Sequence, residues 1–195
     1  PDLKKNGGDL FYLDLSGGPF SLGGSSFAQI QNKIGSKTST ISDPDYFKSS
    51  FNLIQQFIGE NKISAGHDIS SGGIITTLLE MCFPTATAGM NLDLTSLKST
   101  DIITLLFSEN SGIILQSNHD LKMLLEQREI TCHKIGSTTE NKKIQLTYYT
   151  AKHEFDVEAL RDVWYSTSAA LDANQTQRGL AQERFKNYKN QALTY

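Results

Sequence analysis

Along the first 150 residues, segments with the apolar spacing of a strand alternate with segments with the apolar spacing of a helix. Each change from one spacing to the other marks the boundary of a predicted element. Short continuous or alternating apolar runs are typical of strands, whereas apolar residues three and four apart are typical of amphipathic helices. We predict strands at residues 10–15, 62–65, 90–94, 112–115, 131–135 and 143–149. Helices are predicted after residue 25 and at residues 44–59, 74–83, 100–107 and 121–125. This alternation predicts an α+β fold, a layered sheet covered by helices.

The helix at residues 44–59 has the clearest boundaries. Asp43 suits the N-cap position, Pro44 the first helical position and Gly59 the end of the helix. Four apolar residues recur at helical spacing and predict one buried face: Phe47, Phe51, Ile54 and Ile58.

Two further helices and the last two strands carry specific expectations. Three residues are predicted to form the buried face of the helix at residues 74–83: Ile74, Leu78 and Met81. Asn118 is expected to cap the helix at residues 121–125. The strands at residues 131–135 and 143–149 are expected to close the sheet as a pair around a polar turn.

The composition narrows the class of protein. Of 195 residues, 38% are hydrophobic and 20% are charged, which is enough apolar material for a packed core. A net charge of −3 and the lack of a stretch rich in Lys and Arg argue against a nucleic-acid surface. No apolar run approaches the ~18 residues of a membrane span, and no signal-peptide pattern is present. We therefore expect a cytoplasmic protein that binds neither nucleic acid nor membrane.

Cys82 and Cys132 are the only cysteines, and both lie in apolar segments. Two buried thiols in a reduced compartment are the simplest interpretation, and a disulfide between them stays open as the alternative. A nucleophilic role for Cys132 is poorly supported, because Thr131 and His133 alternate with it along a strand and point away from it.

Beyond residue 149 the alternation of predicted strands and helices ends. Apolar residues at helical spacing predict a helix from residue 156 to about residue 171, and residues 172–195 are polar. We expect residues 1–150 to form the α+β domain and residues 151–195 to form a helix and a polar linker toward a missing glutaminase domain. Because the chain starts at Pro1 instead of Met, we expect it to be a piece of a longer protein.

The most informative segment is residues 66–73, Gly-His-Asp-Ile-Ser-Ser-Gly-Gly, between a predicted strand and a predicted helix. Asp68 is suited to hold magnesium and Ser70 to contact a phosphate. Gly72 and Gly73 allow a phosphate to approach the amide groups of a helix N-terminus. A second interpretation stays open, in which an Asp or Ser N-cap and a glycine turn precede an ordinary helix.

Other candidates also have two interpretations. The segment Gly23-Gly24-Ser25 is either a second cradle for the same ligand or a tight turn that needs a positive φ. His67 is either an acid–base group or, more often for such a residue, a partner of the backbone. Glu109 and Asn110 either reach a ligand or form a polar helix terminus.

Three motifs occur together in one order, at residues 22–29, 66–74 and 105–112. They contain Gly-Gly-Ser-Ser, His-Asp-Ile-Ser-Ser-Gly-Gly and Phe-Ser-Glu-Asn. With them the chain resembles the C-terminal subdomain of the aminoimidazole ribonucleotide synthetase superfamily, and within it the large form of phosphoribosylformylglycinamidine synthase. Residues 162–168 are similar to the segment that leads from the second synthetase half of those enzymes into their glutaminase domain.

The resemblance implies part of an ATP-dependent ligase of purine biosynthesis, which converts formylglycinamide ribonucleotide, glutamine and ATP into formylglycinamidine ribonucleotide. It implies that Asp68 is a magnesium ligand and that Ser70 touches a bound ATP or ADP, and two roles stay open for this nucleotide, structural or turned over. Gly72 and Gly73 complete the predicted nucleotide-binding residues. The implied partners are the other synthetase subdomains, which supply further magnesium ligands, and the glutaminase domain. No catalytic residue is expected in this chain, which is therefore expected to be inactive alone.

The chain departs from the family pattern at two positions. Many of the long enzymes have Arg where this chain has Ile69, and Asp where it has Ser71. The loss of Arg removes a contact with either a phosphate or a carboxylate, and the loss of the acid removes either a cap or a group that supports the ligand-binding residues. Two alternatives stay open. One is a relative of the selenophosphate synthetase or thiamine-phosphate kinase type, and the other is a scaffold domain with a vestigial nucleotide site.

Overall fold

Within residues 2–85 and 87–190, which the computed structural model describes, seven strands form one mixed sheet. The strands are β1 (Asp9–Asp14), β2 (Ala65–Asp68), β3 (Gly89–Asp93), β4 (Gly112–Ser117), β5 (Cys132–Thr139), β6 (Lys143–Tyr148) and β7 (Ala151–Asp156). The helices are α1 (Ser26–Ile30), α2 (Pro44–Gly59), α3 (Gly73–Cys82), α4 (Ile102–Phe107), α5 (Leu121–Glu126), α6 (Val157–Gln175) and α7 (Leu180–Asn187). The predicted α+β fold, a sheet covered by helices, is confirmed.

The topology brings the ends of several elements together. The strand order is β2-β4-β1-β5-β3-β6-β7, and neighbours are antiparallel except for β3 and β6. Because β1 and β2 are each antiparallel to β4, they point in the same direction. Their C-terminal ends therefore lie at the same end of the sheet as the start of β4.

The strand β1 lies inside the sheet and is buried on both of its faces. Leu10 and Tyr12 belong to the core that includes residues of α3 and α4, whereas Phe11 and Leu13 belong to the core that includes residues of α2 and α5. None of these four side chains is more than 1% exposed. A strand covered on both faces is continuously apolar, which explains why its sequence does not alternate.

The predicted boundaries of α2 are confirmed, but its predicted buried face is partly wrong. Asp43 caps the helix by accepting hydrogen bonds from the amides of Asp45 and Tyr46. Phe51 and Ile58 are 43% and 49% exposed. The face turned to the sheet consists of Ser50, Leu53, Ile54 and Phe57. The period is helical as predicted, and its phase is set by contact with the sheet. The predicted face of α3 is confirmed, with Ile74, Leu78 and Met81 all buried.

Two strand predictions are corrected by long-range pairing. The strand predicted at residues 62–65 occupies residues 65–68, because β2 pairs with β4 in a register that sets Asp68 opposite Ile113. The predicted pair formed by β5 and β6 is split by β3. A Cβ atom at Gly89 of β3 would lie 2.5 Å from the side chain of Asn141, so the absence of a side chain there lets the turn cross over the strand.

The cap of α5 also differs from the prediction. Asp120, and not Asn118, accepts a hydrogen bond of 3.1 Å from the amide of Met123. The side chain of Asn118 donates to the carbonyl oxygen of Asn6 instead. Both side chains are good caps, and the position at which the helix begins decides between them.

The sheet continues past residue 150. The sequence did not predict β7, which pairs with β6 at the far edge of the sheet, and α6 follows it directly with Asp156 as its N-cap. The start of α6 agrees with the predicted helix at residue 156. The helix runs to Gln175, beyond its predicted end.

Residues predicted as a polar linker include α7, which folds back on α6. Arg184 forms two hydrogen bonds with the carboxylate of Asp172, at 2.8 and 2.6 Å. The rings of Tyr165 and Tyr188 stack with their centroids 4.2 Å apart. The last part of the predicted linker, residues 191–195, lies outside the described residues.

Both cysteines are buried free thiols, which confirms the prediction of buried thiols, and no disulfide joins them. Burial raises the pKa of Cys82 and of Cys132 to about 12, so both are protonated and unreactive at neutral pH. In the described parts of the chain, no helix is both long enough and apolar enough to cross a bilayer.

Two buried tyrosines form a matched pair for a stability experiment. Among the described residues, the hydroxyl of Tyr12 has no hydrogen-bond partner, whereas that of Tyr148 donates to the carbonyl of Ser99 and accepts from its amide. We expect Tyr12→Phe to raise the free energy of unfolding by about 1 kcal/mol and Tyr148→Phe to lower it by a similar amount, because only the second variant loses hydrogen bonds. Urea denaturation measures both. Equal losses in the two variants would contradict the assignment.

Candidate functional site

The candidate site lies at the end of the sheet where β1 and β2 finish and β4 begins. Asp68 is the last residue of β2, and its side chain is 76% exposed. Ser70 and Ser71 follow in the connection to α3 and are also exposed. The structure therefore leaves a carboxylate and two hydroxyl-bearing residues accessible beside the start of a helix.

The connection to α3 depends on two glycines in the left-handed region. Gly72 has φ 90° and Gly73 has φ 73°, and the amide of Gly73 donates to the carbonyl oxygen of Ser70 at 3.0 Å. A Cβ atom at Gly73 would lie 2.6 Å from the carbonyl oxygen of Leu106 and 2.7 Å from that of Ser108. The start of α3 is thus in contact with the main chain at the end of α4.

Gly72 occupies the N-cap position of α3, and as a glycine it has no side chain to cap this helix. The interpretation of the segment as an ordinary Asp or Ser N-cap is therefore wrong, although the glycine turn is present. Asp68 and Ser70 do not cap the helix, and their side chains stay available at its N-terminal end, which favours negative ligands.

Glu109 joins this turn to the other glycine segment. Its Oε1 atom accepts hydrogen bonds of 2.8 Å from the amide of Gly72 and of 2.8 Å from the amide of Ser26, at the start of α1. A single carboxylate oxygen therefore fixes the starts of two helices that lie far apart in sequence. The role of Glu109 as a bridge was not predicted, because its partners are set by the sheet topology.

Asn110 has a similar role one residue later. Its side-chain oxygen accepts from the hydroxyls of Ser39 and Ser108, and its amide group donates to Ser16 and to the carbonyl of Pro19. Asn110 is only 3% exposed. It holds the loop after β1 against the start of β4, so neither of the two earlier interpretations describes it.

The segment Gly23-Gly24-Ser25 forms a tight turn. Gly24 has φ 75°, its amide donates to the carbonyl of Ile34 at 2.7 Å, and Ser25 caps α1 by accepting from the amide of Ala28. The geometry favours the turn interpretation, because the amide of Gly24 is already bonded within the fold.

His67 has contacts on both ring nitrogens. Its Nδ1 atom lies 2.8 Å from the carbonyl oxygen of Asp68, and its Nε2 atom lies 3.3 Å from Oε2 of Glu80. The contact with the carbonyl agrees with the backbone-partner interpretation of His67. The contact with Glu80 was not predicted.

The two departures from the family pattern occupy different surroundings. Ile69 is 7% exposed and belongs to the core next to Gly112, whereas Ser71 is exposed. The side chain of Ile69 therefore contributes to packing beneath the site and offers it no polar group.

The donor set limits the kind of metal that could bind. Among the described residues, no three His, Cys, Asp or Glu side chains form a group that could hold a metal ion. Asp68 supplies one exposed carboxylate, and magnesium is usually held by one or two carboxylates together with phosphate oxygens and water. The residues therefore fit a magnesium ion bound together with a phosphate compound, and do not fit a metal held by protein ligands alone.

The sequence and the fold both match a known family. The family model described as AIR synthase related protein, C-terminal domain, matches residues 8–149.

The chain is similar to two proteins described as phosphoribosylformylglycinamidine synthases. Probable phosphoribosylformylglycinamidine synthase, chloroplastic/mitochondrial, of Arabidopsis thaliana is 38% identical over 186 residues, which are 90% of this chain and 13% of that protein. Phosphoribosylformylglycinamidine synthase of Homo sapiens is 30% identical over 194 residues, which are 94% of this chain and 14% of that protein. The chain thus spans only 13–14% of the length of these relatives.

Two solved structures share the fold. One described as T. maritima PurL complexed with ATP has a TM-score of 0.61 at 14% identity, and covers 82% of this chain and 26% of that chain. Another, described as T. maritima PurL complexed with FGAR, has a TM-score of 0.62 at 16% identity. The matched region covers 82% of this chain and 29% of that chain. At this level of identity the likeness establishes the fold alone.

The bridge formed by Glu109 should contribute to stability. We expect Glu109→Ala to lower the free energy of unfolding by about 2–3 kcal/mol, because two main-chain amides lose a charged acceptor. Glu109→Gln keeps a carbonyl oxygen and should lose less. Glu140→Ala is the control, since it removes only an exposed ion pair with Lys5 and should change stability by less than about 1 kcal/mol. Chemical denaturation measures all three, and an unchanged Glu109→Ala variant would contradict the bridge.

The glycine at the start of α3 should be intolerant of a side chain. We expect Gly73→Ala to lower the free energy of unfolding by at least about 2 kcal/mol, because a Cβ atom there meets main-chain oxygens and φ is positive. Gly59→Ala is the matched control: nothing lies near its Cβ position, and it should gain about 0.5–1 kcal/mol. Thermal unfolding distinguishes the two, and similar midpoints would refute the steric argument.

Proposed function

The chain belongs to the family of AIR synthase related proteins, C-terminal domain, and from this premise we propose that it is part of an ATP-dependent ligase of purine biosynthesis. The proposed reaction converts formylglycinamide ribonucleotide, glutamine and ATP into formylglycinamidine ribonucleotide, glutamate, ADP and phosphate. The names of the Arabidopsis and human relatives support this assignment. Because the chain spans 13–14% of their length, the activity would belong to a larger protein, with other synthetase subdomains and a glutaminase domain as partners.

Within that protein, the chain would supply half of a magnesium–nucleotide site. The observation that carries this proposal is the exposed carboxylate of Asp68 beside an α-helix that starts on two glycines, where the N-cap residue itself has no side chain. In this arrangement Asp68 holds magnesium and the hydroxyl of Ser70 contacts the nucleotide, while Gly72 and Gly73 leave room for its phosphates. Structures described as T. maritima PurL complexed with ATP and with ADP support a nucleotide as the ligand.

The chemistry available to this chain is positioning and neutralisation of charge. A bound magnesium ion would offset the negative charge of the phosphates during phosphoryl transfer. Glu109 holds the amide of Gly72 and so keeps the turn in one shape, while the buried Ile69 anchors it from below. Nothing in this mechanism needs a nucleophile from the chain, which agrees with the high pKa of both thiols.

The compartment and the remaining partners are part of the same proposal. A cytoplasmic location stays a prediction, and the plant relative is named chloroplastic/mitochondrial. Formylglycinamide ribonucleotide would bind to the complete protein, with contributions from subdomains that this chain does not contain.

Calorimetric titration of magnesium–ADP tests the half-site. We expect Asp68→Asn to weaken magnesium-dependent binding by roughly tenfold or more, because the only exposed carboxylate at the turn loses its charge. Asp45→Asn in the first turn of α2 is the control and should bind like the wild type. The titration is made with the chain alone and again with the other synthetase subdomains added.

The outcomes are distinct. Binding that is lost in Asp68→Asn and kept in Asp45→Asn supports the half-site. Equal binding by all three proteins would remove Asp68 from it. Failure of the wild type to bind, both alone and with the other subdomains, would contradict the proposal and favour a scaffold domain with a vestigial site.

A further inference from the structure

A chain of polar contacts leads away from Asp68 toward the C-terminal helix. Nδ1 of His67 lies 2.8 Å from the carbonyl oxygen of Asp68 and 3.5 Å from its carboxylate. Nε2 of the same ring lies 3.3 Å from Oε2 of Glu80, and the indole N–H of Trp164 donates to Oε1 of Glu80 at 3.1 Å. The two oxygens of Glu80 therefore have one partner each.

The three side chains come from three different elements. His67 belongs to β2, Glu80 to α3 and Trp164 to α6. The side chains of His67 and Glu80 are 19% and 26% exposed, so their contact is largely shielded from water. The indole ring also packs on Phe83, directly after α3, with the centroids 5.5 Å apart. These contacts fix α6 against the C-terminal half of α3.

We propose that His67, Glu80 and Trp164 are positioning residues that make the placement of Asp68 depend on α6. This inference rests on the proposed function. Groups that hold a metal-binding side chain in place tune the affinity of the metal even though they never touch it. His67 restrains the main chain of Asp68, Glu80 restrains the imidazole, and Trp164 restrains Glu80.

The helix α7, which folds back on α6, extends the dependence of Asp68 on the C-terminal part of the chain. α7 is tied to α6 by the pairing of Arg184 with Asp172, and the turn after α7 is tied to α6 by the pairing of Lys189 with Asp162. A partner subdomain that moves α6 or α7 would therefore change the position of Glu80 and, through His67, the affinity of the half-site for magnesium. In this proposal the helices α6 and α7, which follow the family domain, influence the nucleotide site.

Single-site variants separate this role from simple stability. His67→Gln removes the imidazole, and Trp164→Phe removes the indole N–H while keeping an aromatic ring against Phe83. Val163→Ala is the control, because this neighbour on α6 is 66% exposed. The affinity for magnesium at a fixed ADP concentration is measured by calorimetry, and the unfolding temperature of each variant is measured beside it.

A spectroscopic signal reports on the relay directly. Trp164 is the only tryptophan of the chain, so 5-fluorotryptophan gives a single ¹⁹F resonance, even when unlabelled subdomains are added. We expect magnesium–ADP to shift this resonance in the wild type. In His67→Gln the shift should disappear, and the affinity for magnesium should fall by roughly tenfold. Trp164→Phe should lower the affinity in the same direction by a smaller factor, and Val163→Ala should leave affinity and shift unchanged.

The outcomes of these measurements separate the positioning role from the proposed function. If the wild type binds and His67→Gln and Trp164→Phe match it in magnesium affinity, the positioning role is overturned while the proposed function stands. Losses that appear equally in Val163→Ala, or that follow the unfolding temperature alone, overturn it as well. If the wild type shows no magnesium-dependent binding even with the other subdomains, the proposed function and the positioning role fail together.

Discussion

The antiparallel pairing of β4 with both β1 and β2 is the constraint on which the candidate site depends. It makes β1 and β2 point in the same direction, so the connections that follow them emerge at one end of the sheet. It also brings the start of β4 to that end, where Glu109 and Asn110 precede the strand. If β4 paired with only one of these strands, the two glycine turns would not meet and Glu109 could not bond to both.

The site combines a fixed main chain with a free side chain. The amides of Gly72 and Ser26 are held by Glu109, and a Cβ atom at Gly73 would collide with the end of α4. Asp68, at the margin of this frame, keeps most of its surface in solvent. Such a division suits the binding of a charged ligand, because the backbone is shaped in advance and the charged group stays accessible.

The parts of the fold that sequence could predict are those set by neighbours along the chain. The cap at Asp43, the end of α2 at Gly59 and the buried face of α3 all follow from local chemistry. The phase of α2, the register of β2 and the separation of β5 from β6 follow from contacts with distant strands, which a local pattern does not contain. The same distinction holds at the site. Asp68 could be placed at a strand-to-helix junction, whereas the bond between Glu109 and Ser26 joins positions 83 residues apart.

Asp68 ends a strand that lies at the edge of the sheet and bonds to a single neighbour. A short strand of this kind can separate from the sheet at a smaller free energy than the whole domain needs to unfold. A ligand that joins Asp68 to the start of α3 would tie this edge to a helix buried in the core. Its binding would therefore be visible first as slower amide hydrogen exchange in residues 65–68, while the interior of the sheet, already protected on both sides, would register little change.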